Sequence, residues 1–278
     1  MVQSLSSDQK LILLRYPGGK QRQLAKFAIY LPSKEAIQCR FIEPFLGGGA
    51  VFFHINPMKA FLSDINRELI DLYTGISNDP LGVWQEYVRF PSTRKGYYRI
   101  RNGNLKKFDL TMRAARTLYL NRTCFKGMWR HNASGDFNVG YGGQDRRWVI
   151  SEDDLVAVAD RLQKAELSCC DFEAVIDKAE EGDFIFLDPP YRPGQRELQH
   201  QHYEHGKFRF KDQVRLADAL ERATSRKVKW MLTNSSHPEI NKLYREYIIE
   251  PLRMGTGSKI GQITSSSGEA LIRNYEEI

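Results

Sequence analysis

The chain has 278 residues, 41% of them hydrophobic and 27% charged, a balance that suits a folded globular protein and excludes a disordered one. That length allows one large domain, or one domain with an insert, and buries enough core to need neither disulfides nor a structural metal. Lys and Arg outnumber Asp and Glu by 41 to 34, a net charge of +7, and no apolar run approaches the roughly 18 residues that cross a membrane.

In chain order, Leu24, Phe27, Ala28 and Leu31 stand at helical spacing, so residues 20–31 are expected to form an amphipathic helix closed by Pro32. Phe41-Ile42 leads as a strand into a Gly-rich turn, and Ala50–Phe53 continues as the next helix. Phe61-Leu62 is a short apolar run ending at Asp64, and residues 66–73 follow as a helix. Residues 78–150 read as basic, aromatic and irregular, with one helix near 110–121. Further helices are expected over 152–164 and 212–224, and a buried strand over Asp183–Asp188, stopped by two prolines. Residues 192–209 read as a mobile polar loop. Later strands are expected over Val228–Thr233 and near 246–252 and 269–275, with a Gly/Ser-rich join at 255–268. Short apolar strands alternating with helices imply an α/β fold around a mostly parallel sheet.

The charge is uneven. Between Arg89 and Arg147 there are fourteen Lys and Arg against three Asp, a local excess of eleven that leaves the rest of the chain at −4. A polyanion is the natural partner of such a segment, because neutralising phosphates releases counterions. Cys39, Cys124, Cys169 and Cys170 form no Cys-x-x-Cys, so neither a zinc cluster nor a secreted disulfide framework is expected. His131, His200, His202 and His205 invite a metal, and His200 to His205 have suggestive spacing, but that run sits in a polar loop without a nearby cysteine, and no metal is expected. The first residues lack the basic start of a signal peptide, and the expectation is a reduced, cytoplasmic protein.

Three motifs carry chemistry. In Phe41–Ala50, Gly47 and Gly49 would let the backbone approach a ligand beside a helix N-terminus. Asp64, seventeen positions past Gly47, suits a carboxylate that accepts hydrogen bonds from ribose hydroxyls. Phe52 stands where a dinucleotide fingerprint would need glycine, which points to another nucleoside-type cofactor. Arg15-Tyr16-Pro17-Gly18-Gly19-Lys20 is no P-loop, since Leu14 and Gln21 occupy the positions that would need Gly and Ser or Thr. Asp188-Pro189-Pro190-Tyr191 ends an apolar strand. The exocyclic amine of a nucleobase is a poor nucleophile because its lone pair is delocalised into the ring. The Asp188 carboxylate and the Pro189 carbonyl can both accept hydrogen bonds from that amine and draw it toward tetrahedral geometry, aiming the lone pair at a methyl donor. Tyr191 offers a stacking face worth about 1–3 kcal/mol to an extruded base. A C5-cytosine enzyme would need a nucleophilic cysteine after proline, and no Pro-Cys occurs.

Together these motifs resemble the D12-class, Dam-type adenine-N6 DNA methyltransferases. Tyr16–Lys20, Glu43–Gly49, Ser63–Asn66, the basic insert and Asp188–Tyr191 stand in that family's order, and Tyr119–Asn132 and Gly135–Val139 within the insert are similar to it as well. The resemblance implies S-adenosylmethionine as cofactor and a Rossmann-like, seven-stranded methyltransferase sheet with a reversed last strand. It divides the chain into a catalytic domain, 1–76 and 151–278, and a mainly helical target-recognition subdomain, 77–150. It places Tyr16 and Lys20 at the cofactor, Phe45, Gly47 and Gly49 along its methionine and ribose, Asp64 at the ribose hydroxyls, and Asp171 and Phe172 at its adenine. Asp188 would serve both the methionine amino group and the target amine. Arg130 is the expected guanine reader and Arg15 an outer-base contact, while Phe125 and Lys126 lie where a flipped base leaves a gap. Arg122 and Asn138 complete the expected DNA contacts.

Lys126 stands where the family commonly has Asn and Gly140 where it has Pro, so a GATC-like site is an analogy only. The resemblance implies a monomer, or a dimer on DNA, that methylates duplex DNA. A cytosine-N4 enzyme, an RNA-adenine enzyme and a catalytically silent DNA-binding protein are the alternatives.

Overall fold

Short runs such as Phe184-Ile185-Phe186-Leu187 are apolar at every position because helices cover both faces of the sheet they enter. In the computed structural model, which describes residues 11–15, 19–104, 107–132, 134–191, 208–252 and 268–276, seven strands form one sheet in the order β3-β2-β1-β4-β5-β7-β6. They are β1 (Phe41–Glu43), β2 (Ala60–Ser63), β3 (Ala165–Ser168), β4 (Phe184–Leu187), β5 (Lys229–Ser235), β6 (Ile248–Leu252) and β7 (Glu269–Arg273). Neighbours from β3 through β5 pair parallel; β7 alone is reversed, pairing antiparallel with β5 and β6. This is the seven-stranded, mostly parallel α/β sheet with a reversed last strand that the resemblance implies.

The pleat sorts side chains into two layers. Phe41, Phe184, Phe186, Met231 and Leu271 face one cluster, with helices α2 (Ala50–Ile55), α3 (Arg67–Asn78), α6 (Leu110–Thr123) and α7 (Glu152–Leu162). Ile42, Ile185, Leu187, Trp230, Leu232 and Ile272 face the other, with α8 (Phe172–Ile176), α9 (Phe210–Ser225) and α10 (Pro238–Leu243).

Several elements differ from expectation. Residues 20–31 form no continuous helix: a four-residue turn, α1 (Leu24–Phe27), lies between two 3-10 turns, and none of the three has a side-chain cap. Segment 78–150 is more regular than expected. Two further helices, α4 (Pro80–Arg89) and α5 (Arg94–Arg101), precede α6, capped by Asp79 and Thr93 side chains. Strand β3 and helix α10 were not expected either. The strand is a half-exposed edge with a polar sequence, which leaves little periodic signal. The polar stretch 192–207 and most of the Gly/Ser-rich join lie outside the described residues.

Helix α6 lies against α3 and is buried on all sides from Ala114 to Thr123, including Arg116, Asn121 and Arg122. Its polar side chains tie neighbouring backbone together. Arg116 donates to the carbonyls of Ile100 and Arg101 at 3.0 and 2.6 Å, and Arg122 to that of Ile12 at 2.5 Å. Asn121 accepts from the Arg15 amide and donates to the Arg15 carbonyl, both at 2.8 Å. Arg147, fully buried, donates to the carbonyls of Tyr87, Val88 and Phe90.

Candidate active site

The C-terminal ends of β1, β2 and β3 build one half of a cleft of about 1410 Å³, whose wall runs from Asp171 through Gly47 to Asp188. After β1 the chain turns through Gly47 (φ 46°) and Gly49 (φ 65°), left-handed conformations that favour glycine. A Cβ on Gly49 would come within 2.9 Å of the Phe53 ring. The Asp64 carboxylate is held by two amides, Gly47 N–H on Oδ2 at 3.0 Å and Asn66 N–H on Oδ1 at 2.9 Å. Burial raises the pKa of Asp64, opposed by those bonds. Asn66 in turn caps α3 by accepting from the Glu68 amide at 3.0 Å.

Asp171 caps α8, accepting on Oδ1 from the Glu173 amide at 3.0 Å and from Arg215 at 2.8 Å. The Arg215 guanidinium lies 4.9 Å from the centre of the Phe172 ring. Phe172 stacks on Phe45 at 5.4 Å, and Phe208 packs against both at 5.7 Å. The result is an aromatic wall with a carboxylate at its edge, between two strand ends.

Asp188 leaves the end of β4. Its Oδ1 takes both the Lys20 ammonium and the Thr233 hydroxyl, each at 2.8 Å. Burial raises the Asp188 pKa, while Lys20 and the Thr233 bond oppose the rise. Lys20, 4% exposed, also lies 4.7 Å over the Tyr191 ring. The Pro-Pro turn is pinned from behind: Gln213 donates to the Pro190 carbonyl at 3.0 Å and is itself held by Asn234 at 2.9 Å. Glu43 is buried beneath the Gly-rich turn and accepts from the Phe52 amide at 3.2 Å. Desolvation drives its pKa well above the carboxylate range, with Asp188 and Asp64 adding to the rise.

Trp129, Arg130 and His131 extend the wall of the same cleft. Arg130 is exposed and donates to Asn138 Oδ1 at 2.8 Å across a narrow hairpin, whose His131 meets Glu68 at 2.9 Å. Half-buried Trp129 packs edge-on against Phe137, so its ring serves the hairpin core as well as the cleft. Phe125 is 50% exposed, and Lys126 beside it holds a left-handed φ of 54°. Arg15, Phe125 and Lys126 surround a separate small hollow of about 200 Å³.

Arg122 also borders that hollow, but it is 3% exposed and anchors the Ile12 carbonyl. The expected DNA contact at Arg122 is therefore corrected to a buried brace, since that bond and its burial keep the guanidinium from solvent. Tyr16 and three histidines, His200, His202 and His205, lie outside the described residues. Among the described residues there is no cluster of metal-ligating side chains, and no helix is long and apolar enough to cross a membrane.

Sequence reading missed Glu43, Thr233, Phe208, Arg215 and Glu269 as cleft or cleft-supporting residues. Only Glu43, beside the Gly-rich turn, carried a local signal; the others reach the site through the fold.

A family model described as D12 class N6 adenine-specific DNA methyltransferase matches residues 16–255. The chain is 36% identical over 246 residues to a DNA N-6-adenine-methyltransferase of Escherichia phage P1, a match covering 86% of this chain but 32% of the phage protein. It is 31% identical to the Type II methyltransferase M1.LlaDCHI of Lactococcus lactis subsp. cremoris, covering 94% of both chains. It is 33% identical to a DNA adenine methylase of Haemophilus influenzae, over 74% of this chain and 72% of that one. The match spans the Gly-rich turn, the Asp188 turn and the basic helices alike, and this chain belongs to the D12 class N6 adenine-specific DNA methyltransferase family.

Proposed function

We propose that this protein transfers the methyl group of S-adenosylmethionine to N6 of an adenine flipped out of duplex DNA, at a short site of GATC-like kind. The observation that carries the reading is the state of Asp188. One oxygen is committed to Lys20 and Thr233, and the carboxylate borders the cleft, where its other oxygen can accept from an exocyclic amine. The neighbouring Pro189 supplies a second acceptor, and a tyrosine face lies beside them.

The cleft suits the cofactor. Asp64, fixed by two amides, accepts from ribose hydroxyls, and the walls of Phe45 and Phe172 hold an adenine ring while Asp171 accepts its amino group. Gly47 and Gly49 let the backbone approach, and Glu43, Lys20 and Asp188 set the charge where a methionine moiety would lie. When bound, this cofactor supplies an electrophilic methyl on a sulfonium.

The protein's part is to hold the amine in line, desolvate it and withhold water. Asp188 Oδ2 and the Pro189 carbonyl accept the two N6 hydrogens, and Tyr191 stacks on the base. Phe125 and Lys126 fill the space that the base vacates, and Arg130, braced by Asn138, reads a guanine edge with Arg15 at an outer base pair. Residues 77–150 act as the target-recognition subdomain, and the enzyme works as a monomer in the cytoplasm.

Modification-aware sequencing of DNA from cells expressing the protein tests the reading. N6-methyladenine at one short motif is expected. Methyl groups on cytosine N4, on RNA alone, or on nothing would overturn it.

A further inference from the structure

Glu269 opens β7, the reversed strand, so it stands at the same edge of the sheet as the C-terminal end of β4. Strand register puts it directly opposite Ser235. Glu269 shares the pleat parity of Leu271, and Ser235 that of Thr233 and Met231, the face on which Thr233 meets Asp188. Glu269 accordingly lines the cleft together with Asp188, Pro189 and Tyr191.

The cofactor-side carboxylates lie at the ends of β1, β2 and β3, and Glu269 lies two strands beyond β4 in the other direction, where the target base must sit. Its Oε2 is buried without a hydrogen-bond partner, and so is Ser235 Oγ opposite it in the strand pair. An orphaned carboxylate oxygen on a residue that lines a cleft marks a place where a polar ligand completes the bonding. The negative charge of Glu269 is felt at both Asp188 and Tyr191.

The two carboxylates are not equivalent. Asp188 Oδ1 is already occupied by the Lys20 ammonium and the Thr233 hydroxyl, each at 2.8 Å, so this carboxylate is committed to holding the amine in place. Glu269 has no ion pair among the described residues. We infer that Glu269 is a catalytic residue of the target pocket, whose Oε2 takes the proton that N6 must lose. The inference rests on the adenine-N6 reading above. In balance, the N6 lone pair forms the new nitrogen–carbon bond while the carbon–sulfur pair stays with sulfur. The N6 hydrogen held by the Pro189 carbonyl is shared with Oε2 and passes to it as a proton, since a peptide carbonyl is too weak a base to keep one, and its bonding pair returns to N6 as the lone pair of the methylated amine. Glu269 releases the proton to water when the product leaves. Before transfer, the same carboxylate favours positive charge arriving at N6 over charge remaining on sulfur.

Glu269→Gln and Glu269→Ala separate the two parts of this role. Gln can still accept a hydrogen bond but cannot take a proton. Two quantities are measured: the single-turnover rate of methyl transfer to a duplex carrying the motif found by sequencing, and equilibrium binding, without cofactor, of duplexes with adenine or unsubstituted purine at the target position. Both variants should lose about 10²-fold in rate. Only Glu269→Ala should shift the adenine-to-purine binding ratio, severalfold toward purine. Wild-type rate in Glu269→Gln would overturn the proton role, and an unchanged ratio in Glu269→Ala would overturn contact with the amine. A wild-type protein that marks no adenine would overturn the function reading itself, and this inference with it.

Discussion

Asp188 accepts on one oxygen from a lysine and a threonine seated on different elements, and this division of its two oxygens governs how its variants should behave. Asp188→Asn keeps the shape but replaces one acceptor with a donor facing the amine. Single-turnover methylation should fall at least about 10³-fold while duplex binding stays within a few fold. Normal turnover in this variant would remove Asp188 from the chemistry. The pH dependence follows from the sign of its shift. Asp188 must be ionised to accept, and burial raises its pKa, so activity is lost on acidification at a higher pH than a solvent-exposed aspartate would give. Lys20 restrains that rise. In Lys20→Met the acid limb of the pH–rate profile should move to higher pH, and a stationary limb would show that the ion pair does not tune the site. Glu43 titrates in the same direction with a different consequence. Its folded pKa lies well above the ordinary 4.5, so its stabilising contribution is full at low pH and lost as pH rises through the folded value. Glu43→Gln retains an acceptor for the Phe52 amide and removes the buried charge. It should stabilise the fold by about 1–3 kcal/mol at pH 8, and less at pH 5, in thermal melts.

Helix α6 looks on paper like part of a basic DNA-facing surface, yet it is the strut on which two other segments hang. Asn121 clamps the backbone of Arg15, the residue that precedes the Tyr16–Lys20 motif in sequence, and Arg122 clamps Ile12 three residues earlier. The segment that leads to Lys20 is thus anchored, up to Arg15, by a helix far downstream in the chain. Asn121→Ala leaves a buried N–H and C=O unpaired, which should cost about 2–4 kcal/mol of stability. Because Arg15 is released, KM for DNA should rise more than kcat falls; steady-state kinetics on a folded fraction checks this, and a pure loss of kcat would contradict it. The hairpin carrying Arg130 is held in a comparable way, by Glu68 at the start of α3 through His131 and, at 3.6 Å, Arg116. One helix start thus touches both Asp64, through Asn66, and the hairpin that carries Arg130, through His131.

Across the whole molecule, the excess of eleven positive charges in one segment overstates what DNA would meet. Arg116, Arg122 and Arg147 are buried, Arg113 pairs with Asp71 at 2.9 Å, and Arg89 pairs with Glu86 at 2.6 Å. With five of fourteen cations committed within the protein, log Kd against log salt should be no steeper than about 8 in magnitude, at roughly 0.9 per phosphate. A flat dependence would mean that the segment does not face DNA, and a steeper one that cations elsewhere join in. Arg147→Met should cost more than about 3 kcal/mol by orphaning three carbonyls, yet leave that slope unchanged.

The fold class and one end of the chemistry were legible in the residue order because both are local. Strands buried on two faces must be continuously apolar, a left-handed turn must be glycine, and Asp188 to Tyr191 are consecutive along the chain. Helices α4 and α5 carried capping signals at Asp79 and Thr93 that the aromatic, basic composition concealed. Other features depended on the tertiary structure alone. Only the sheet order sets β5 beside β4 and β7 next beyond it, and so brings Thr233 and Glu269 to the cleft of Asp188 from 45 and 81 positions away. Only packing decides whether an arginine faces solvent or caps a neighbour's carbonyls. Charge and side-chain type belong to the residue, but desolvation and partnership belong to the assembled core.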